Sequence, residues 1–250
     1  MHRSASRLTR VLACAAVPVI LVATGCSSDS GKDSATGSGS KDGAKAGSSS
    51  SAASQSPSAA PSPTLEKPAF AKLPDPCKVL GAKTVEKLVP EAKDADGTAA
   101  KSNDLSSRAT CSWNGLDEDG LKGSDYRWLA VSLARYDSHD TLGSASERAG
   151  EQYTKQVEAA KTSEGAKGLK FAQAAGIGDQ GTTVSYSVKK DVDFFNQTVV
   201  ARTENVVLTL DYNGAAYEGA KAPDSAELLQ DAIAAAKEAV TAIAAANKGA

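Results

Sequence analysis

Apolar and polar positions alternate clearly between Tyr126 and Tyr136, where Leu129, Val131 and Leu133 share one side and Arg127 and Arg135 continue it at the ends. A period of two predicts a half-buried strand of an antiparallel sheet. The chain around Cys111 and Trp113 also reads as extended. Segments 182–188, 192–203 and 205–212 are rich in Val, Thr, Tyr and Phe, with Glu204-Asn205 between the last two, and predict strands joined by hairpins. Asn213-Gly214 then reads as the turn that closes the run.

Helical spacing appears three times. Asp75-Pro76-Cys77 has the form of a helix start, followed by Val79, Leu80, Val85, Leu88 and Val89 and stopped by Pro90. Ser144 and Glu147 form a capping box ahead of Ala145, Ala149, Tyr153, Val157 and Ala160. Asp224 and Glu227 form another after Pro223, and Leu229, Ile233, Ala236, Val240 and Ile243 make a continuous stripe before Gly249. The order of elements predicts an α+β fold: an antiparallel β-sheet with helices packed on one face and a C-terminal helix. No internal repeat is visible.

The first 66 residues do not fit that pattern. Arg3, Arg7 and Arg10 precede an uncharged run from Val11 to Gly25, the arrangement of a secretory signal. That run is shorter than the roughly 20 residues a bilayer-spanning helix needs and contains Pro18. It ends in Ala23-Thr24-Gly25-Cys26, which is similar to the lipobox of bacterial lipoprotein precursors, so Cys26 is the expected acylation site and residues 1–25 the cleaved signal. A multiply acylated cysteine would hold the chain to the cell membrane on its extracytoplasmic face. From residue 26 to 66 the chain is dominated by Ser, Gly, Ala, Lys, Asp and Pro, a composition that predicts a disordered tether with an r.m.s. span of about 35 Å. All 12 aromatic residues lie at Phe70 or beyond, placing a single folded domain over residues 67–250.

Charge narrows the partners. Without the three signal arginines, 25 basic residues face 30 acidic ones, a balance that argues against a nucleic-acid partner. Cys14 leaves with the signal. Cys77 and Cys111 remain after export and acylation, and an oxidising compartment predicts one disulfide between them.

Four short motifs carry a resemblance. The lipobox, Asp75-Pro76-Cys77, Cys111-Ser112-Trp113 and Gly176-Ile177-Gly178-Asp179 together resemble the actinobacterial, Streptomyces-like lipoproteins grouped as a domain of unknown function, over residues 74 to about 245. The resemblance implies the paired cysteines and an extracytoplasmic lipoprotein, and no activity. In element order the chain is more loosely similar to extracellular sensor domains of mycobacterial receptor kinases, which implies sensing of a ligand or partner.

Candidate chemistry is sparse. His139, beside Asp137 and Asp140, reads as part of a polar loop, because triad members converge from separated segments. One histidine after export cannot build a His-rich metal centre, and no metal or cofactor is expected. Gly176, Gly178 and Gly181 spell GxGxxG but lead into Thr182-Thr183-Val184, a strand where a nucleotide cradle needs a helix, so they read as a turn. Ser187 and Lys190 form SxxK without its companion motifs. Asp117-Glu118-Asp119-Gly120 resembles part of a calcium loop, but its first and twelfth positions would be Gly115 and Tyr126. Asn196-Gln197-Thr198 is a formal glycosylation sequon. Trp113, Trp128, Phe194 and Phe195 either fill the core or line a pocket, and core filling is the expected role.

The function these observations favour is a non-enzymatic ligand-binding or sensory module of the cell envelope, its ligand or protein partner unspecified. The alternative is an envelope hydrolase using carboxylates.

Overall fold

The structure, a computed structural model, describes residues 65–102 and 104–249. The expected signal segment, the expected acylation site Cys26 and the chain up to residue 64 lie outside the described residues. Seven strands form one sheet, antiparallel throughout, in the order β1-β2-β3-β7-β6-β5-β4. They are β1 (Thr98–Ala99), β2 (Arg108–Glu118), β3 (Ser124–Arg135), β4 (Ala166–Gln173), β5 (Gln180–Lys189), β6 (Asp193–Thr203) and β7 (Val206–Tyr217), with helices α1 (Ala82–Leu88), α2 (Ala145–Lys161) and α3 (Ser225–Ala246). After the β2–β3 hairpin the chain crosses the sheet through α2 to the far edge. It then meanders back through β4, β5 and β6 until β7 pairs with β3. The expected α+β class, antiparallel sheet, C-terminal helix and single disulfide are all present.

The helices divide between the two faces. Leu129, Val131, Leu133, Val199, Ala201, Leu208, Leu210 and Tyr212 belong to the main core with α1 and α3. Val200 and Val207, each one residue out of phase with these, form a second cluster with Tyr136 and with Ala149, Tyr153 and Val157 of α2. Successive strand residues point to opposite faces, so α2 covers the side away from α3, where one helical layer had been expected. The cause lies in β6 and β7: residues 198–201 and 206–208 are buried on both sides, leaving apolar surface for a helix on each.

Three local readings shift for physical reasons. Asp75 does not cap a helix; its Oδ1 accepts from the backbone N–H of Cys77 at 2.9 Å, making a turn. The helix starts after Gly81, and Glu238 of α3 caps it from outside, accepting from Gly81 N at 2.6 Å and Thr84 Oγ1 at 2.7 Å. Asn213-Gly214 lies within β7, opposite Trp128 and Arg127. A Cβ on Gly214 would stand 3.1 Å from Leu228 Cδ1 and 3.2 Å from Pro223 Cγ, so the glycine admits the leading turn of α3. The α3 stripe is rotated: Leu228, Ala232, Ala235, Ala236, Ala239 and Ile243 are buried, while Ile233 and Val240 flank them. Small residues at the contact let the helix approach the sheet closely. The capping box at Ser144 forms with both reciprocal bonds.

Two asparagines fix the point where the chain enters the domain. Asn205, in the tight β6–β7 turn, bonds Phe70 N at 2.8 Å, Phe70 O at 3.0 Å and Tyr136 O at 2.8 Å. Asn247, after α3, accepts from Ala71 N and Lys72 N and donates to Lys72 O. Five residues after Lys72, Cys77 is bonded to Cys111 of β2, with a Cα–Cα distance of 5.1 Å. Among the described residues no helix is long and apolar enough to cross a membrane.

Candidate functional site

Helix α2 covers only part of its face of the sheet. Beyond its C-terminus the face is open, and there β3, β7, β6 and β5 bring one row of side chains into register. Trp128 pairs with Asn213, Asn213 with Asn196, and Asn196 with Tyr186. Directly paired residues point to the same face, so the row reads aromatic, amide, amide, aromatic. With strands about 4.8 Å apart, it spans roughly 14 Å. Tyr126, Val188 and Phe194 form the apolar border beside it, the rings of Tyr126 and Phe194 meeting edge to face at 6.2 Å. Ser163 and Glu164, just past α2, and Lys190, just past β5, complete a cleft of about 410 Å³.

Much of the polar capacity in this cleft is unused. Asn196, which lines the cleft, donates through Nδ2 to Phe194 O at 3.0 Å and leaves its Oδ1 without a donor among the described residues. The Asn213 amide, the Trp128 indole N–H and the hydroxyls of Tyr126 and Tyr186 make no hydrogen bond among the described residues. Burial, reinforced by the neighbouring Tyr217, raises the pKa of the Tyr126 hydroxyl, so it stays a protonated donor. The two charges at the rim are opposite in sign, Lys190 and Glu164, and Lys190 Nζ stands 5.3 Å above the Phe194 ring.

Two residues along β7 from Asn213, on the same face, lies Asp211. Thr198 Oγ1 donates to its Oδ1 at 2.6 Å. With Arg108, Thr110, Ser132, Thr209, Gln152 and Gln156 it lines a second depression of about 320 Å³ beneath α2. Burial raises the carboxyl's pKa, partly opposed by the Thr198 bond. The folded chain therefore keeps this proton to higher pH than the unfolded chain does. The stability this contributes is complete below the unfolded value near pH 4 and is lost as pH rises through the folded one. Asp211→Asn keeps an acceptor for Thr198 and never ionises. The variant is expected to melt above the parent at pH 7, with the gap closing towards pH 4; equal gaps at both pH values would refute the assignment.

The opposite face carries a charged depression of about 370 Å³ that includes Lys87, Asp125, Arg127, Tyr212, Asp224 and Asp231. Its charges are largely engaged with one another: Lys87 with Asp231 at 2.6 Å and Arg127 with Asp125 at 3.5 Å. Asp224 caps α3, and the N–H groups of Glu227 and Ala226 hold its carboxyl below the usual range. Tyr212 donates to Leu88 O at 2.7 Å, and burial pushes its hydroxyl up to about 12.

Of the residues singled out in the sequence, His139 is exposed in the loop before α2, in contact with Thr141. Gly176 and Gly178 sit at φ 75° and 62° in the β4–β5 turn, and a Cβ on Gly178 would lie 2.3 Å from Arg202 O. Ser187 pairs with Phe195, on the face opposite the cleft that Lys190 borders, so the SxxK pair is not brought together. Asp117 and Glu118 end β2, and Asp119 pairs with Lys122 at 2.9 Å. Asn196-Gln197-Thr198 lies within β6. The four aromatics divide evenly: Trp113 and Phe195 belong to the core, Trp128 and Phe194 to the cleft, so core filling accounts for half of them. Asn196, Asn213, Tyr126, Tyr186 and Asp211 were not anticipated. The available signal was their shared parity along four strands.

An α+β protein with one sheet face half open is the class these features define. The chain belongs to the family described as protein of unknown function (DUF3558), whose model matches residues 21–193. The match includes Tyr126, Trp128 and Tyr186 and stops at the start of β6. No curated protein matches the chain. Among solved structures, one described as LpqN involved in cell envelope biogenesis of Mycobacterium tuberculosis is similar at 15% identity, covering 57% of this chain and 82% of that one, with a TM-score of 0.27. A likeness that loose says nothing about activity.

Proposed function

We propose that this protein is a lipid-anchored binding module of the cell envelope, held to the extracytoplasmic face of the membrane through Cys26 and taking a ligand or partner without catalysing a reaction. The observation that carries the binding part is the cleft between Trp128 and Tyr186, a concave surface where four aromatic side chains stand beside polar groups that have no partner among the described residues. The basic start, the uncharged run and the small residues before Cys26 support the anchor. The Cys77–Cys111 disulfide fits an oxidising compartment.

A carboxylate-using hydrolase is the second reading, favoured by one observation: Asp211 is a partly buried acid with raised proton affinity, two residues from the cleft along β7. Glycoside hydrolysis would also need a second carboxyl facing it at about 5 to 9.5 Å.

The anchor is tested by metabolic fatty-acid labelling of cells making the parent or Cys26→Ala. The parent is expected to carry label and sediment with membranes, and the variant to lose both. Undiminished label in the variant would overturn the anchor.

A further inference from the structure

We infer that the row Trp128, Asn213, Asn196 and Tyr186 is a sugar-binding site that takes a neutral glycan segment about two rings long. The inference rests on the binding reading above and names its ligand class. A pyranose ring has two chemistries at once: flat faces of C–H groups, and a rim of hydroxyls that each donate and accept. Aromatic rings complement the faces. Carboxamides complement the rim, because one planar group offers an acceptor and two donors. The row places an aromatic ring at each end and two amides between, across roughly 14 Å of sheet.

The hydrogen-bonding inventory separates a sugar from the other ligands an aromatic cleft accepts. A proline-rich segment presents mainly carbonyl acceptors, which would use the Trp128 N–H and the tyrosine hydroxyls but leave Asn196 Oδ1 without a donor. An acyl chain would cover these polar groups and hydrogen-bond none of them. Hydroxyls satisfy donors and acceptors together. The opposite charges of Lys190 and Glu164 at the rim give no preference for an ionic ligand.

Tryptophan fluorescence reads the site selectively. The chain has two tryptophans; Trp113 is 1% exposed in the core, and Trp128 lines the cleft. The full chain carrying Cys26→Ala, so that no acyl group competes, is titrated separately with chitotriose, maltotriose, sodium dodecanoate and the peptide Ser-Pro-Ser-Ala-Ala-Pro-Ser-Pro. The expected result is a saturable emission change with at least one oligosaccharide, absent from Trp128→Phe and weakened about tenfold by Asn213→Ala at an unchanged melting temperature. Saturation by dodecanoate or the peptide but by neither oligosaccharide would overturn the sugar class and leave the binding reading standing. No response to any of the four probes would overturn both. A sugar response that Asn213→Ala leaves intact would place the sugar elsewhere and overturn the assigned row.

Discussion

Replacing both Cys77 and Cys111 with serine is expected to lower the stability of the domain by about 4 kcal/mol. The bond closes a loop of 34 residues in sequence separation, and the chain-entropy model assigns a loop of that length about 3.8 kcal/mol. The effect has a location. Cys77 holds the segment carrying Val79 and Leu80, 2% and 4% exposed, against a core that also includes Cys111 and Trp113. Freed of the bond, this segment and α1 become the part of the structure with the least to hold them, because α1 is only seven residues long. For a domain of this size, each kcal/mol moves the melting temperature by about 2–4 °C. Thermal melts of parent and double variant are therefore expected to differ by roughly 8–16 °C, and addition of a reductant should move only the parent. Coincident melts would show that the bond contributes nothing to stability.

Trp113→Ala is expected to cost about 3–5 kcal/mol, the range for removing a fully buried aromatic side chain from a core. The indole is 1% exposed, on the face of β2 that meets α1 and α3, and its Nε1 donates to Ala95 O at 3.3 Å. Its surroundings cannot collapse easily. A Cβ on Gly97, whose φ is 80°, would already come within 2.6 Å of both the indole and Cys111 Sγ, so backbone, disulfide and ring are packed without slack. Because the ring and the disulfide share that neighbour, their losses should not add. Denaturant unfolding of Trp113→Ala, the cysteine double variant and the triple variant measures the coupling. A triple variant whose loss equals the sum of the separate losses would refute it.

The sequence was legible where one period held over a long run. The alternation at Leu129, Val131 and Leu133 located β3, and the capping residue Ser144 located the start of α2. It was misleading where tertiary contact sets the local choice. The Asn213-Gly214 pair looks like a turn because the reason for its glycine, the approach of Pro223 and Leu228, is remote in sequence. The orientation of α3 was obscured because alanines score weakly as apolar, yet four of them face the sheet. Strand β4 carried no usable pattern. It is an exposed edge with Lys167 and Lys170 at an irregularity in pairing, which is how an unpaired edge is kept from joining another chain. The cleft was half legible: two of its aromatics stood out by type, but Phe194 and Phe195 could be told apart only by the phase of β6. Trp128 met the amides only through the β3–β7 pairing, which joins residues more than eighty positions apart.

The entry of the chain has a mechanical consequence. A pull between Trp128 on the open face and the N-terminal side would travel from β3 to β2, through Cys111 to Cys77, and out along Phe70–Lys72. The hydrogen bonds of Asn205 and Asn247 yield first, absorbing load by releasing a few residues of slack. The covalent bond then stops the extension before it reaches the sheet. Strand β4, at the far edge of the sheet, lies off this path, so a load applied this way leaves that edge undisturbed.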